Sequence, residues 1–282
     1  MTPPAMPTLP PVWIDGIAFW TPAWPGWPLA APALRGEPVL PASTPERRPA
    51  PAAMAANERR RAPDSVLLAL EVAHAAVADS GHAAATLASV FTSAFGDLPI
   101  VDGLCRTLAS DPLLLSPTRF HHSVHNAASG YWAIASGSRQ PSTALAAFDH
   151  SFGAGLLDAA ALCAADKRPV LLVGFDTEAS GPLASVNTSR GLLGVALVLA
   201  PQPGPHSRWR MGWNLLPNSA EPPAVTQHAP APRSAAAAAL MANALADALP
   251  LFEALATGRP ASLGLRVGAG LWLQLQLQPQ AG

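Results

Sequence analysis

SPTRFHHSVHNAASGYWAIASGSRQPSTALAAFDHSFGAGLLDAAALCAADKRPVLLVGFDTE, residues 116–178, is the stretch from which the fold is read. Within it STALAAF (142–148) has the composition of a strand, FGAGLLDAAALCAA (152–165) reads as a helix, and PVLLVGF (169–175) is wholly apolar. A strand, a helix and a second strand with no polar alternation mark a sheet covered on both faces. Parallel neighbours need a crossover, and the crossover helix does the covering. Just upstream, SVHNAASGYWAIAS (123–136) is rich in small residues and reads as another helix.

Working outward, residues 12–19 read as a strand and SVFTSAFG (89–96) as a buried one, with further strands at 192–199 and 208–215. Asp64 is placed to cap a helix whose Val66, Leu67, Leu70, Ala73 and Val77 share a face, and Gly81 to end it. A helix is expected near 99–109. Residues 21–63 are dense in Pro and Ala, with charges at Arg47, Arg48 and Arg59–Arg61, and read as an extended surface excursion. Trp13, Trp20, Trp24 and Trp27 stand near its prolines, as a packing cluster would. A second Pro-rich loop (217–232) leads to an Ala-rich helix, 234–257, whose Leu240, Leu245, Leu249 and Phe252 would cover the sheet. LWLQLQLQ (271–278) alternates strictly and reads as an edge strand with one buried face. Residues 1–282 are therefore read as one domain, with 12–20 and 64–200 at its core and 233–282 adding a helix and a strand.

Half of the 282 residues are hydrophobic and only 12% are charged, against about a quarter in an ordinary soluble protein. Such a surface repels a neighbour weakly, so a protein partner is expected. A net charge of −1 supplies no field to hold nucleic acid or an anionic membrane. Cys105 and Cys163 are too few for a disulfide framework, the first residues lack the pattern of a leader peptide, and the longest apolar run (191–200) is too short for a transmembrane segment. These features suit the cytoplasm. His121 and His125 are four apart, as metal-binding pairs on a helix are, but no Cys, Asp or Glu in 119–130 completes a site. No metal or cofactor is expected.

The run 116–178 resembles the N-terminal half of the β-ketoacyl synthases, the condensing enzymes of fatty-acid and polyketide synthesis. Pro117 and Phe120 precede Val124-His125-Asn126, an apolar segment ends in glycine, and Pro141-Ser142 opens the strand that carries the nucleophile in that family. Within that family the sequence resembles the short ketosynthase-like chain length factors of aryl polyene biosynthesis. The resemblance implies a thiolase-like α/β fold of helix, mixed sheet and helix layers, with the second half reduced or absent.

It also implies a departure in chemistry. The turn after the strand carries a cysteine in active synthases, and counting from Pro141-Ser142 that position holds Asp149. Cys105 lies upstream and Cys163 well along the following helix. A carboxylate at a helix N-terminus is a weak nucleophile, and it reads equally as a cap for helix 152–165. The C-terminal histidines, His206 and His228, lack the Gly-rich surroundings of the family's catalytic pair. The expectation is thus a catalytically silent subunit that pairs with a full-length β-ketoacyl synthase acting on acyl carrier protein. In that family Ser142, Thr143, Ala144, Leu145 and Phe148 would meet the partner's strand. Arg119, Phe120, His121, His122, His125, Asn126 and His150 would lie at the interface or the partner's acyl tunnel. A divergent acyl-thioester hydrolase or acyltransferase using Asp149 and His150, or a stand-alone homodimeric scaffold, are the alternatives.

Overall fold

The computed structural model describes residues 9–39, 48–217 and 232–280. Among the described residues eight strands form one sheet: β1 (Val12–Trp20), β2 (Ala88–Thr92), β3 (Ser142–Leu145), β4 (Val170–Asp176), β5 (Leu193–Ala200), β6 (Trp209–Pro217), β7 (Ala261–Gly268) and β8 (Leu271–Pro279). Their order is β3-β2-β4-β5-β1-β6-β8-β7. β2 runs parallel to both β3 and β4, and every other pairing is antiparallel. The helices are α1 (Trp27–Leu34), α2 (Ala56–Arg61), α3 (Asp64–Ser80), α4 (Leu98–Ser110), α5 (Pro117–Ser123), α6 (Ala127–Ser136), α7 (Ser151–Asp166), α8 (Ala235–Leu240) and α9 (Leu249–Thr257).

The central strands are buried on both faces, so successive residues feed two cores. Phe91, Leu171 and Val173 pack with α3 and α6, through Leu67, Leu70, Ala73 and Trp132. Val90, Val170 and Leu172 pack on the other side with Phe152 and Leu156 of α7 and Phe252 of α9. The Phe252 ring is met by Phe19, Trp27 and Phe152, with centroids 5.7, 5.9 and 6.0 Å away, the edge-on and tilted spacing aromatic rings favour. Helix α7 lies against β2, β4 and β5 and also against β7 at the far end of the order. With strands about 4.8 Å apart, a flat sheet cannot offer both contacts to one helix, so the β6-β8-β7 end curls over α7. At the crossing Gly153 sits on the main chain of β7: a Cβ there would overlap the Arg266 carbonyl oxygen.

Several expectations need correction. The stretch 21–63 holds α1 and α2, and Ala30, Ala31, Ala33 and Leu34 are core residues. Pro28 stands in the first turn of α1, where its missing N–H has no partner to lose, while Pro32 lies inside this short helix. Asp64 begins α3 with no capping bond and pairs with Arg48 instead. Strand β2 ends at Thr92, and of 123–136 only Ala127–Ser136 forms the expected helix, separated from α5 by a break at Val124–Asn126. Strand β3 stops at Leu145, and Phe148 begins a 3-10 turn. The span 234–257 is α8, a 3-10 turn at Ala246–Ala248 and α9, with Pro250 in the first turn of α9. β8 alternates as expected but is flanked by β6 and β7; β7, not anticipated, takes the edge. Arg47, His228 and most of the loop 217–232 lie outside the described residues.

Candidate functional site

Strand β3 is one edge of the sheet, and Ser142 and Thr143 are exposed. Ser89 N donates to Pro141 O and Ser93 N to Leu145 O, so odd-numbered residues turn their backbone groups to β2. Parallel strands alternate in this respect, which leaves the N–H and C=O of Ser142 and Ala144 facing outward. Exposed apolar side chains stand on α6, which packs beside β3, and on the turn that follows β3: Ile134 is 81% exposed and Phe148 74%. Among the described residues this edge has no partner strand, and an open edge next to uncovered apolar side chains is a template on which another chain can pair.

The chain leaves β3 by a strained turn. Phe148 has φ 49°, a left-handed conformation that costs a non-glycine residue roughly 1–3 kcal/mol. Ser151 Oγ holds it, donating to Phe148 O at 2.7 Å and accepting from Ala147 N at 2.9 Å, while Thr92 Oγ1 donates to Ser151 O at 2.7 Å. Asp149 and His150 lie in the 3-10 turn between Phe148 and the start of α7. Asp149 is not the cap of α7. That place is taken by Asp247, whose Oδ2 accepts from Phe152 N at 2.9 Å and Gly153 N at 3.2 Å.

Asp247 is the residue sequence reading missed. It stands alone in ALADALP, which reads as helix interior, and its partners are 94 and 95 residues away. Burial pushes its carboxyl up to about 8; the two N–H donors oppose the rise and the nearby Asp176 adds to it. Burial likewise raises Asp176 to about 7 against donors from Ala94 N, Ser93 Oγ and Phe95 N. Asp247 Oδ1 is buried without a partner among the described residues. Together with Asp149 and His150 it borders a cavity of about 220 Å³ walled by Met241, Leu249, Leu265 and Arg266. No hydrogen bond joins Asp149 to His150 among the described residues.

Both carboxyls hold a proton more tightly folded than unfolded. Their contribution is therefore greatest below the ordinary aspartate range and is lost as pH rises to about 8. Thermal melts should show stability falling between about pH 4 and pH 8, with a smaller fall in Asp247→Asn, which removes one of the two buried charges. An equal fall in both proteins would exclude Asp247 as its source.

The histidine segment is not one helical face. Helix α5 ends at Ser123 and Val124 is extended, so His121 and His125 lie on either side of a break. His125 Nε2 contacts Ser93 O at 3.0 Å and pins the turn after β2. His122 Nε2 meets Tyr131 Oη at 2.8 Å, and its pKa is lowered by burial and by His121, with Asp97 opposing. The His121 ring lies 6.1 Å from that of Tyr131. Asn126 begins α6, Phe120 is exposed, and the Arg119 guanidinium lies beside Gly103. Among the described residues no group of three or more His, Cys, Asp or Glu is placed to hold a metal. Burial raises the Cys163 thiol to about 12, Cys105 is exposed on α4, and His206 packs on Gly81.

The model of the β-ketoacyl synthase N-terminal domain matches residues 34–254. The chain belongs to the β-ketoacyl synthase family. Its fold is the thiolase-like fold of that family. A structure of a ketosynthase (ApeO) in complex with its chain length factor (ApeC) from Xenorhabdus doucetiae is similar with TM-score 0.70 and 21% identity, over 94% of this chain and 99% of the other. The ishigamide ketosynthase/chain length factor matches with TM-score 0.69 and 16% identity, over 98% and 100%. AntDE:AntF, a type II polyketide acyl-carrier protein in complex with its ketosynthase, matches with TM-score 0.70 and 11% identity, over 98% and 100%. No curated protein sequence matches the chain. Among the described residues of this ketosynthase-like chain, no helix is long and apolar enough to cross a membrane.

Proposed function

We infer that this protein is a catalytically silent subunit of chain-length-factor type that pairs with an active, full-length β-ketoacyl synthase. The pair would extend acyl chains on acyl carrier protein, in the cytoplasm, in aryl polyene synthesis. The observation that carries this reading is the open edge of β3, with its unpaired backbone groups and uncovered apolar neighbours, leading into a turn that holds Asp149 and no thiol. A decarboxylative condensation needs a nucleophile whose leaving-group chemistry suits acyl transfer, and a thiolate meets that need where a carboxylate does not. Two similar structures contain a ketosynthase with a chain length factor, and another a ketosynthase with its acyl-carrier protein.

In this arrangement Ser142–Leu145 and Phe148 face the partner, while Phe120, His121, His122 and Asn126 approach its acyl tunnel, with Arg119, His125 and His150 around them. Exposed Phe120 is the bulkiest apolar side chain of α5 and would limit chain growth. In a reconstituted reaction, Phe120→Ala should shift the products toward longer acyl chains by at least one extension, read by mass spectrometry. An unchanged distribution would remove Phe120 from the tunnel, and condensation by this chain alone would refute silence.

A further inference from the structure

A larger cavity, of about 550 Å³, lies over the carboxyl ends of β2 and β4. Parallel strands end there, and α/β sheets commonly take ligands at that end, in cavities of this size. Arg48, Arg61 and Arg119 line it, as do Asp64, Asp97 and Glu178. The carboxylates are engaged. Asp64 is paired with Arg48; Asp97 accepts from Ser65 Oγ at 2.8 Å and Ile100 N at 3.0 Å; Glu178 accepts from Gly191 N at 3.4 Å. Arg61 and Arg119 have no ion pair among the described residues.

Helix α3 points its N-terminus at this space. It starts after Pro63 with no side-chain cap, so its first N–H groups have no helical acceptor and carry the positive end of the helix dipole. A separate observation points the same way. Thr177 lines the cavity, is only 4% exposed, and its Oγ1 has no hydrogen-bond partner among the described residues, whereas buried hydroxyls are ordinarily satisfied.

We propose that this cavity binds a small phosphate monoester. Two guanidiniums, the free N–H groups of α3 and the Thr177 hydroxyl are more donors than the two oxygens of a carboxylate use, and they suit the three terminal oxygens of a phosphate. Asp64 and Glu178 at the same cavity favour one phosphate group over a polyphosphate. The organic part lies against Pro22, Pro99, Ile100 and Leu192. The cavity does not include β3, but it shares Arg119 and His122 with the segment placed at the synthase partner above, so the test is made on this chain alone.

The test uses the full chain with inorganic phosphate and glycerol 3-phosphate as probes, at constant ionic strength and low millimolar concentration, where general salting effects are small. Thermal stability should rise saturably with both and not with chloride or acetate, and glycerol 3-phosphate should bind more tightly. The Arg61→Gln/Arg119→Gln double variant should weaken binding at least about tenfold, and Thr177→Val about threefold or more, by ³¹P line broadening. If the double variant fails to fold, the nearly isosteric Thr177→Val decides. A rise matched by acetate, equal affinity for phosphate and the ester, or undiminished binding in the folded variants would each overturn the proposal.

Discussion

Ala144→Pro will fold as the parent chain does and lose its synthase partner, with affinity reduced at least about 100-fold, or roughly 2.7 kcal/mol. Ala144 turns its N–H away from β2, so proline there removes no bond of the existing ladder. Edge strands accept proline on the solvent side for this reason. A strand added across the edge would lose a donor worth about 0.5–1.5 kcal/mol and would meet the pyrrolidine ring at the centre of the pairing. Thr143→Pro is the internal comparison, because Thr143 faces β2 and its replacement should destabilise the fold itself. Titration calorimetry for binding and circular dichroism for folding separate the two outcomes. Parental affinity in Ala144→Pro would mean that β3 is not the pairing strand.

Gly153→Val should lower stability by about 3 kcal/mol or more, which for a chain of this size is a melting temperature lower by roughly 6–12 °C. The added atoms meet the Arg266 carbonyl, a main-chain group that cannot swing aside as a side chain can. Relief requires moving the N-terminus of α7, and that end carries both the Asp247 cap and the Ser151 clasp on Phe148. Gly130→Ala in α6 is the control. Nothing lies within 4 Å of a Cβ there, and alanine favours a helix by about 1 kcal/mol over glycine. A Gly153→Val protein that melts with the parent would mean that β7 does not rest on α7.

What the sequence made legible was decided locally. The apolar runs that became β4 and β5, the small-residue helix α7 and the left-handed Gly81 that ends α3 each announce themselves within a few residues. The family resemblance rested on that same continuous stretch. What stayed hidden was decided at a distance. No proline or glycine marks the break at Val124–Asn126, which follows from His122 reaching Tyr131 and His125 reaching back to Ser93. The alternation of β8 defines its two faces but says nothing of its neighbours, so its place beside β7 could not be read. Strand β7 itself, ASLGLRVG, is interrupted by glycines and an arginine and lacks a strong period. In the site, the strand-turn-helix around Asp149 was visible, but its cap came from Asp247, brought across the curl of the sheet.

In the function proposed above, the open β3 edge belongs to a heterodimer with an active synthase. Native mass spectrometry of the chain co-expressed with a full-length β-ketoacyl synthase tests this most directly. The expected spectrum shows one copy of each protein in a stable complex, and that complex elongates acyl chains where neither component does alone. Separate species, with a synthase equally active in the absence of this chain, would contradict it.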